Sequence, residues 1–146
     1  MAFHLVVWVV LERGGRVLLA RRSPGRYGAG LWGLPGGHVE AGETLARAGA
    51  REVREEVGVR VEVGALAPLG VTRYVTPEAE GVDFFFRARS FEGEPAPIAE
   101  CDAVAWHAPD ALPTEVLPWL PRALELHLTA GVWLDESVDG ASVGAP

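Results

Sequence analysis

Residues 37–59 read GHVEAGETLARAGAREVREEVGV, and this stretch decides how the rest of the chain is read. Ala46, Ala50, Val53 and Val57 recur at spacings of three and four, which predicts a helix over 44–57 with one packed face. Thr44 is suited to cap its start, and Gly58 stands where a left-handed residue closes a helix. The small alanines let the helix lie close to a sheet. Gly49 inside it costs roughly 1 kcal/mol relative to alanine, so tertiary contacts must hold that turn. Glu52, Glu55 and Glu56 stand at i, i+3 and i+4 and therefore share one face. Like charges so placed repel, and a fold gains nothing from them alone. A divalent cation reverses the sign of the interaction, because hard carboxylate oxygens suit Mg²⁺ or Mn²⁺. Arg51 can hold a carboxylate in its guanidinium fork, and Glu43 near the helix start is favoured by the helix dipole. Gly36 and Gly37 allow the backbone to pass close to a ligand or metal. The plain alternative is a surface helix with a solvated acidic stripe.

Working outward, residues 3–11 alternate around Val, Trp and Leu and predict a strand. The turn ERGGR (12–16) suits a hairpin, with RVLLAR (16–21) as the partner strand. A Gly/Pro-rich loop follows over 22–31, then WGLPGG as a further loop or short strand. Downstream, strands are expected at 59–66, 69–76, 82–91 and near 101–107. A last helix is expected over 114–129, with Pro118 and Pro121 near its start. Residues 1–134 form one domain in this reading, and 135–146 form a flexible C-terminal tail. Strands mixed with two helices give an α+β or layered α/β/α domain.

Composition narrows the function. The chain has 146 residues, 49% of them hydrophobic, enough for one cored domain. Its net charge of −7 argues against binding duplex nucleic acid by charge. The same charge would repel a polyphosphate unless metal ions or local arginines offset it. A single cysteine, Cys101, excludes a disulfide scaffold and fits a reducing compartment. The N-terminal apolar run is too short to span a membrane and lacks a basic leader, so a cytoplasmic location is expected. All 13 basic residues are arginine, and lysine, asparagine and glutamine are absent. A GC-rich coding sequence accounts for this better than adaptation to heat.

The 37–59 segment resembles the Nudix signature, G-x5-E-x7-R-E-U-x-E-E-x-G-U with U aliphatic. It matches at Gly37, Glu43, Arg51, Glu52, Val53, Glu55, Glu56, Gly58 and Val59. The preceding LWGLPGG is similar to the family's usual approach to this box. The resemblance implies a Nudix-type α/β/α sandwich, with a mixed central sheet flanked by helices. It also implies a metal-dependent pyrophosphohydrolase. Glu52, Glu55, Glu56 and the Gly37 carbonyl would hold Mg²⁺, with Mn²⁺ able to substitute. Arg51 would orient the carboxylates, and Glu43 would support it or help activate water.

Arg22, at the end of the second strand, is the candidate phosphate contact, ahead of Arg21 and Arg26. Trp32 is a candidate base-stacking platform, weighed against simple packing. AECDAVAWHAPDALP (99–113) is similar, through Cys101 and Trp106, to a segment of the MutT-like nucleotide-cleaning subgroup. That makes Glu100 and Asp102 candidate contributors to the substrate side, against a plain exposed-loop reading. Cys101 reads as a small buried hydrophobe. The four histidines, His4, His38, His107 and His127, lack zinc-like spacing.

The expected substrate is a small nucleoside-diphosphate-linked molecule, foremost a (deoxy)nucleoside triphosphate cut to monophosphate and pyrophosphate. An ADP-ribose or nucleotide-sugar pyrophosphatase is the enzymatic alternative, and a non-catalytic nucleotide-sensing module is the alternative of another class. Dimers are common in the family, so a homodimer is an open expectation, with Phe84-Phe85-Phe86 offering a candidate exposed side chain.

Overall fold

The N-terminal apolar run forms the central strand β1, Phe3–Arg13, in the computed structural model, which describes residues 2–138 and 141–143. The other strands are β2 (Arg16–Arg22), β3 (Trp32–Gly33), β4 (Gly36–His38), β5 (Ala67–Val75), β6 (Glu80–Ala88), β7 (Cys101–His107), β8 (Leu134–Val138) and β9 (Ala141–Val143). Along Phe3–Leu11, β1 pairs in parallel with β6, and its Val6–Trp8 stretch pairs antiparallel with β4. Its far end turns through the hairpin into β2, which carries β3 and β7. Beyond β6 lie β5, β8 and β9, with β5 and β8 parallel, so the sheet is mixed.

Strand alternation divides β1 between two cores. Val7, Val9 and Leu11 face α1 (Leu45–Val57) and pack with Leu18, Val53, Val57 and Phe86. Val6, Trp8 and Val10 face the opposite layer and pack with Leu19, Phe85, Leu117, Leu120 and Leu124. The second layer is α2 (Leu120–Ala123), which runs on into wider π turns over Leu124–Thr129. The result is the expected α+β sandwich, a mixed sheet between two helices. A strand buried on both faces explains why β1 reads as a continuous apolar run.

The helix over 44–57 forms as its sequence dictates. The Thr44 hydroxyl accepts from the Arg47 N–H at 3.2 Å, and Gly58 closes the helix at φ 72°. Gly49 lies where an added Cβ would sit 3.2 Å from the Val9 side chain, so its lost helix propensity is exchanged for close helix–sheet approach.

Four expectations are corrected. Residues 59–66 are not a strand: Arg60 makes one isolated bridge to Glu92, and Val63–Ala65 form a single 3-10 turn. The last helix begins at Leu120, not 114. Residues 115–117 are instead bonded to Trp32, through Trp32 N–H to the Glu115 carbonyl and Leu117 N–H to the Trp32 carbonyl. Pro121 then occupies the first helical turn, where its missing N–H is harmless. The tail expected over 135–146 is partly strand, because Val71–Val75 of β5 pairs with Leu134–Val138 and β9 returns on β8. Residues 139, 140 and 144–146 of that tail lie outside the described residues. Finally, none of Phe84, Phe85 and Phe86 is exposed: the last two are buried and the first is half-buried. No helix among the described residues is long and apolar enough to cross a membrane.

Gly58 tests the helix closure. Its positive φ disfavours any L side chain by about 1–2 kcal/mol, so Gly58→Ala is expected to lower the unfolding free energy by that amount, and with it the urea midpoint, without changing the slope. An unchanged midpoint would contradict the left-handed closure.

Candidate active site

The C-terminal half of α1 and the start of β4 meet because β4 pairs with β1 directly beneath the helix. At Gly36 an added Cβ would strike the Val7 carbonyl and the Trp8 ring, and at Gly37 it would lie 2.6 Å from the Glu52 carboxyl. Only glycine lets this strand run so close to the helix. The Gly36 N–H donates to Glu56 Oε2 at 3.0 Å. Glu52 is 7% exposed and Glu56 1%, so two carboxylates are buried side by side.

A third carboxylate joins them from a distant segment. One oxygen each of Glu52, Glu56 and Glu100 lies within 4.8 Å of the others. Glu100 reaches the site because the chain before it is bonded to the end of α1. The N–H groups of Ile98 and Ala99 donate to the Glu56 carbonyl, and the Ala96 N–H donates to that of Val57. Glu100 itself adopts φ 63°, a left-handed backbone unusual for glutamate. Its carbonyl accepts from the Ser23 N–H, and its carboxylate pairs with Arg26 at 2.9 Å.

Burial, and then the adjacent Glu52 carboxylate, push the Glu56 carboxyl well above the usual carboxylate range. Such a group is poised to bind either a proton or a cation. Three hard oxygen donors converging in this way, two of them buried, fit a divalent cation.

Arg51 organises the rest. Its Nε and Nη2 donate to Glu43 at 2.7 and 3.0 Å, and its Nη1 donates to Glu52 at 2.9 Å and Glu55 at 3.2 Å. Nη2 also donates to the His38 carbonyl at 3.1 Å. Glu43 in turn accepts from the Glu40 N–H. The Arg51 guanidinium, helped by that N–H, holds the Glu43 carboxyl down at about 2.

The sequence-predicted residues thus fall into groups. Glu52 and Glu56 converge, Arg51 and Glu43 bracket them, and Gly37 lies against Glu52. Glu55 stays on the outer side, with its side chain 55% exposed and held by Arg51. Glu100, weighed as a loop carboxylate, completes the cluster. Arg26, ranked below Arg22, is the arginine paired with it. The Arg22 guanidinium instead donates to the Tyr27 carbonyl at 3.0 Å. Trp32 is half-buried against the α2-side core, with the Arg21 guanidinium 5.6 Å from its ring. Asp102 pairs with Arg21 at 2.7 Å, away from the cluster. Burial pushes the Cys101 thiol up to about 11, which keeps it from acting as a nucleophile. A separate cavity at the β1–β2 hairpin is lined by Arg13 and Arg89 among others, but these pair with Glu94 and Glu12.

Comparisons with known proteins identify the family. Over 128 residues the chain is 35% identical to an oxidized purine nucleoside triphosphate hydrolase of Danio rerio, covering 83% of this chain and 80% of that one. It is 40% identical over 105 residues to a MutT-like protein of Streptomyces ambofaciens, covering 72% of this chain and 63% of that relative. The crystal structure of a MutT NUDIX hydrolase from Burkholderia pseudomallei superposes with a TM-score of 0.78 at 32% identity, covering 88% of this chain and all 100% of the other. Residues 2–127 match the family model described as the NUDIX domain, and the chain therefore belongs to that family, as a Nudix hydrolase of phosphoanhydrides.

Proposed function

We propose that the chain hydrolyses (deoxy)nucleoside triphosphates to the monophosphate and pyrophosphate, with a divalent cation held by Glu52, Glu56 and Glu100. The convergence of those three carboxylates carries the reading. The relative from Danio rerio, an oxidized purine nucleoside triphosphate hydrolase, supports this substrate class.

Bound Mg²⁺ or Mn²⁺ would neutralise charge on the non-bridging phosphate oxygens and lower the pKa of water. The rest is the work of the chain. Glu52 and Glu56 supply buried anionic oxygens, and the Gly36 N–H fixes the orientation of Glu56. Arg51 positions Glu52, and Glu43 fixes Arg51. Gly37 leaves the space that Glu52 occupies, and its carbonyl is a further candidate ligand. Water attacks the α-phosphorus and gives up a proton to solvent, the bond from that phosphorus to the bridging oxygen breaks, and pyrophosphate leaves with the bridging oxygen. Glu55 is assigned to the rim of the site, where it shares Arg51. Arg26, and then Arg22, are the arginines best situated to meet the triphosphate.

The primary test is a nucleotide panel with Mg²⁺ and products separated by chromatography. Release of monophosphate plus pyrophosphate is expected, with loss of activity in excess chelator. Sugar phosphate from ADP-ribose or a nucleotide sugar as the main product would move the substrate class. No turnover with either Mg²⁺ or Mn²⁺ would contradict the enzyme reading.

Variants separate the roles. Glu56→Gln and Glu100→Gln are each expected to lower kcat/KM by more than about 100-fold, and Arg51→Lys, which acts through Glu52, by about 10–100-fold. Glu55→Gln should cost less than Glu100→Gln, and the reverse order would refute the assignment of the third carboxylate.

The Arg51–Glu43 pair also predicts a pH effect. Because the folded-state pKa of Glu43 is depressed to about 2, its stabilisation is fully present above the unfolded value near 4.5 and is lost as pH falls from there toward 2. The stability gap between the parent chain and Glu43→Gln should be constant above pH ~5 and close below it. A gap independent of pH in urea unfolding would show that the pair does not act through its charge.

A further inference from the structure

On the opposite side of the sheet from α1, β6 carries a second buried acid that the glutamate site does not use. Asp83 pairs across the backbone with Val6 of β1 and Thr72 of β5, and its side chain is on the α2-facing side. It is 8% exposed. The indole N–H of Trp8 lies near enough to lower its pKa slightly, yet that N–H is fully buried and completes no hydrogen bond. Burial dominates and raises the carboxyl to about 7. Among the described residues the Trp8 N–H is the one side-chain donor that lowers the pKa of this acid, so its carboxyl carries a desolvation cost that a ligand donor or a proton relieves.

Aromatic groups surround it. Gly81 lies two residues before it on the same face, and an added Cβ there would come within 2.8 Å of the Tyr74 hydroxyl, so that phenol lies beside Asp83. Burial, then the charge of Asp83, then Tyr27 raise the pKa of Tyr74, which puts all three in one neighbourhood. Tyr27 is 64% exposed. On the other side the Trp8 ring meets the half-buried Trp119 ring at 4.7 Å. Val6 links this neighbourhood to the glutamates, because it pairs with Asp83 on one side and with His38 on the other. Two strand spacings, about 10 Å, thus separate the Asp83 backbone from that of His38, whose carbonyl Arg51 grips. That is within the span of one nucleotide.

We propose that Asp83 is a specificity-determining residue that reads the nucleobase, its two oxygens accepting from the adjacent ring N–H and amino group of a 2-amino-6-oxopurine. The inference rests on the nucleotide reading of the glutamate site. A carboxylate is an acceptor at both oxygens, and this purine edge presents two neighbouring donors. The edges of adenine and cytosine place a ring-nitrogen acceptor beside the amino group, which sets one lone pair against another. Donors on the ligand favour the ionised acid and supply what Trp8 does not. The flanking phenols and indole provide apolar contact to a ring.

The test measures dissociation constants of dGMP, dIMP and dAMP for the full chain and for Asp83→Asn, together with kcat/KM for dGTP and dATP with Mg²⁺. The parent chain is expected to bind dGMP at least tenfold more tightly than dAMP. It should bind dIMP, which lacks the amino group, several-fold more weakly than dGMP. Asp83→Asn, whose amide offers one donor and one acceptor, should lower the dGMP:dAMP ratio at least tenfold, whereas a merely structural acid would weaken all bases evenly. Equal binding of dGMP and dIMP overturns the proposal without any variant, so it stays testable even if Asp83→Asn does not fold. A base ratio unmoved by the substitution, or no binding of dGMP, also overturns it. Base-selective binding without turnover would instead contradict the hydrolase reading and leave Asp83 in place.

Discussion

Three carboxyl groups with oxygens inside 4.8 Å of one another repel strongly whenever all are ionised without a cation, and much of the surrounding structure holds them there. Glu52 is gripped by Arg51, Glu56 is fixed by the Gly36 N–H, and Glu100 is delivered by a loop bonded to the last turn of α1. Each restraint needs backbone to approach backbone. β4 comes close only because Gly36 and Gly37 lack side chains, and α1 lies low on the sheet because Gly49 does. Burial raises the cost of the charges and also keeps water away from the place where a cation would be held.

Local features were legible in the sequence because they depend on neighbours along the chain. The α1 helix is written in the spacing of Ala46, Ala50, Val53 and Val57 and in its two caps. β1 is written in the run of Val, Trp and Leu over residues 3–11. Non-local features were not legible. Glu100 looks like a loop residue until Ala96, Ile98 and Ala99 donate to the carbonyls of Glu56 and Val57. Residues 115–117 look helical until Trp32 captures their backbone. The C-terminal segment looks like a tail until β5 accepts it as a parallel neighbour.

The second helix illustrates the same limit. Its final turns widen so that the buried His127 can bond to the Thr72 hydroxyl at 2.8 Å and the Val132 carbonyl at 2.7 Å, in space left by Gly70. No pattern within residues 124–129 announces those partners. The α2 side of the sheet, with Asp83, Trp8 and Trp119, is likewise assembled from strands far apart in sequence. One strand, β1, contributes alternate side chains to this face and to the glutamate face.

The central claim is that Glu52, Glu56 and Glu100 together hold the cation. A crystal of the protein grown with Mn²⁺ and a non-hydrolysable nucleoside triphosphate analogue, measured for anomalous scattering, tests it most directly. The account predicts an anomalous peak bonded to oxygens of those three glutamates and to the triphosphate. A metal held by Glu55 without Glu100, or located away from this cluster, would contradict it.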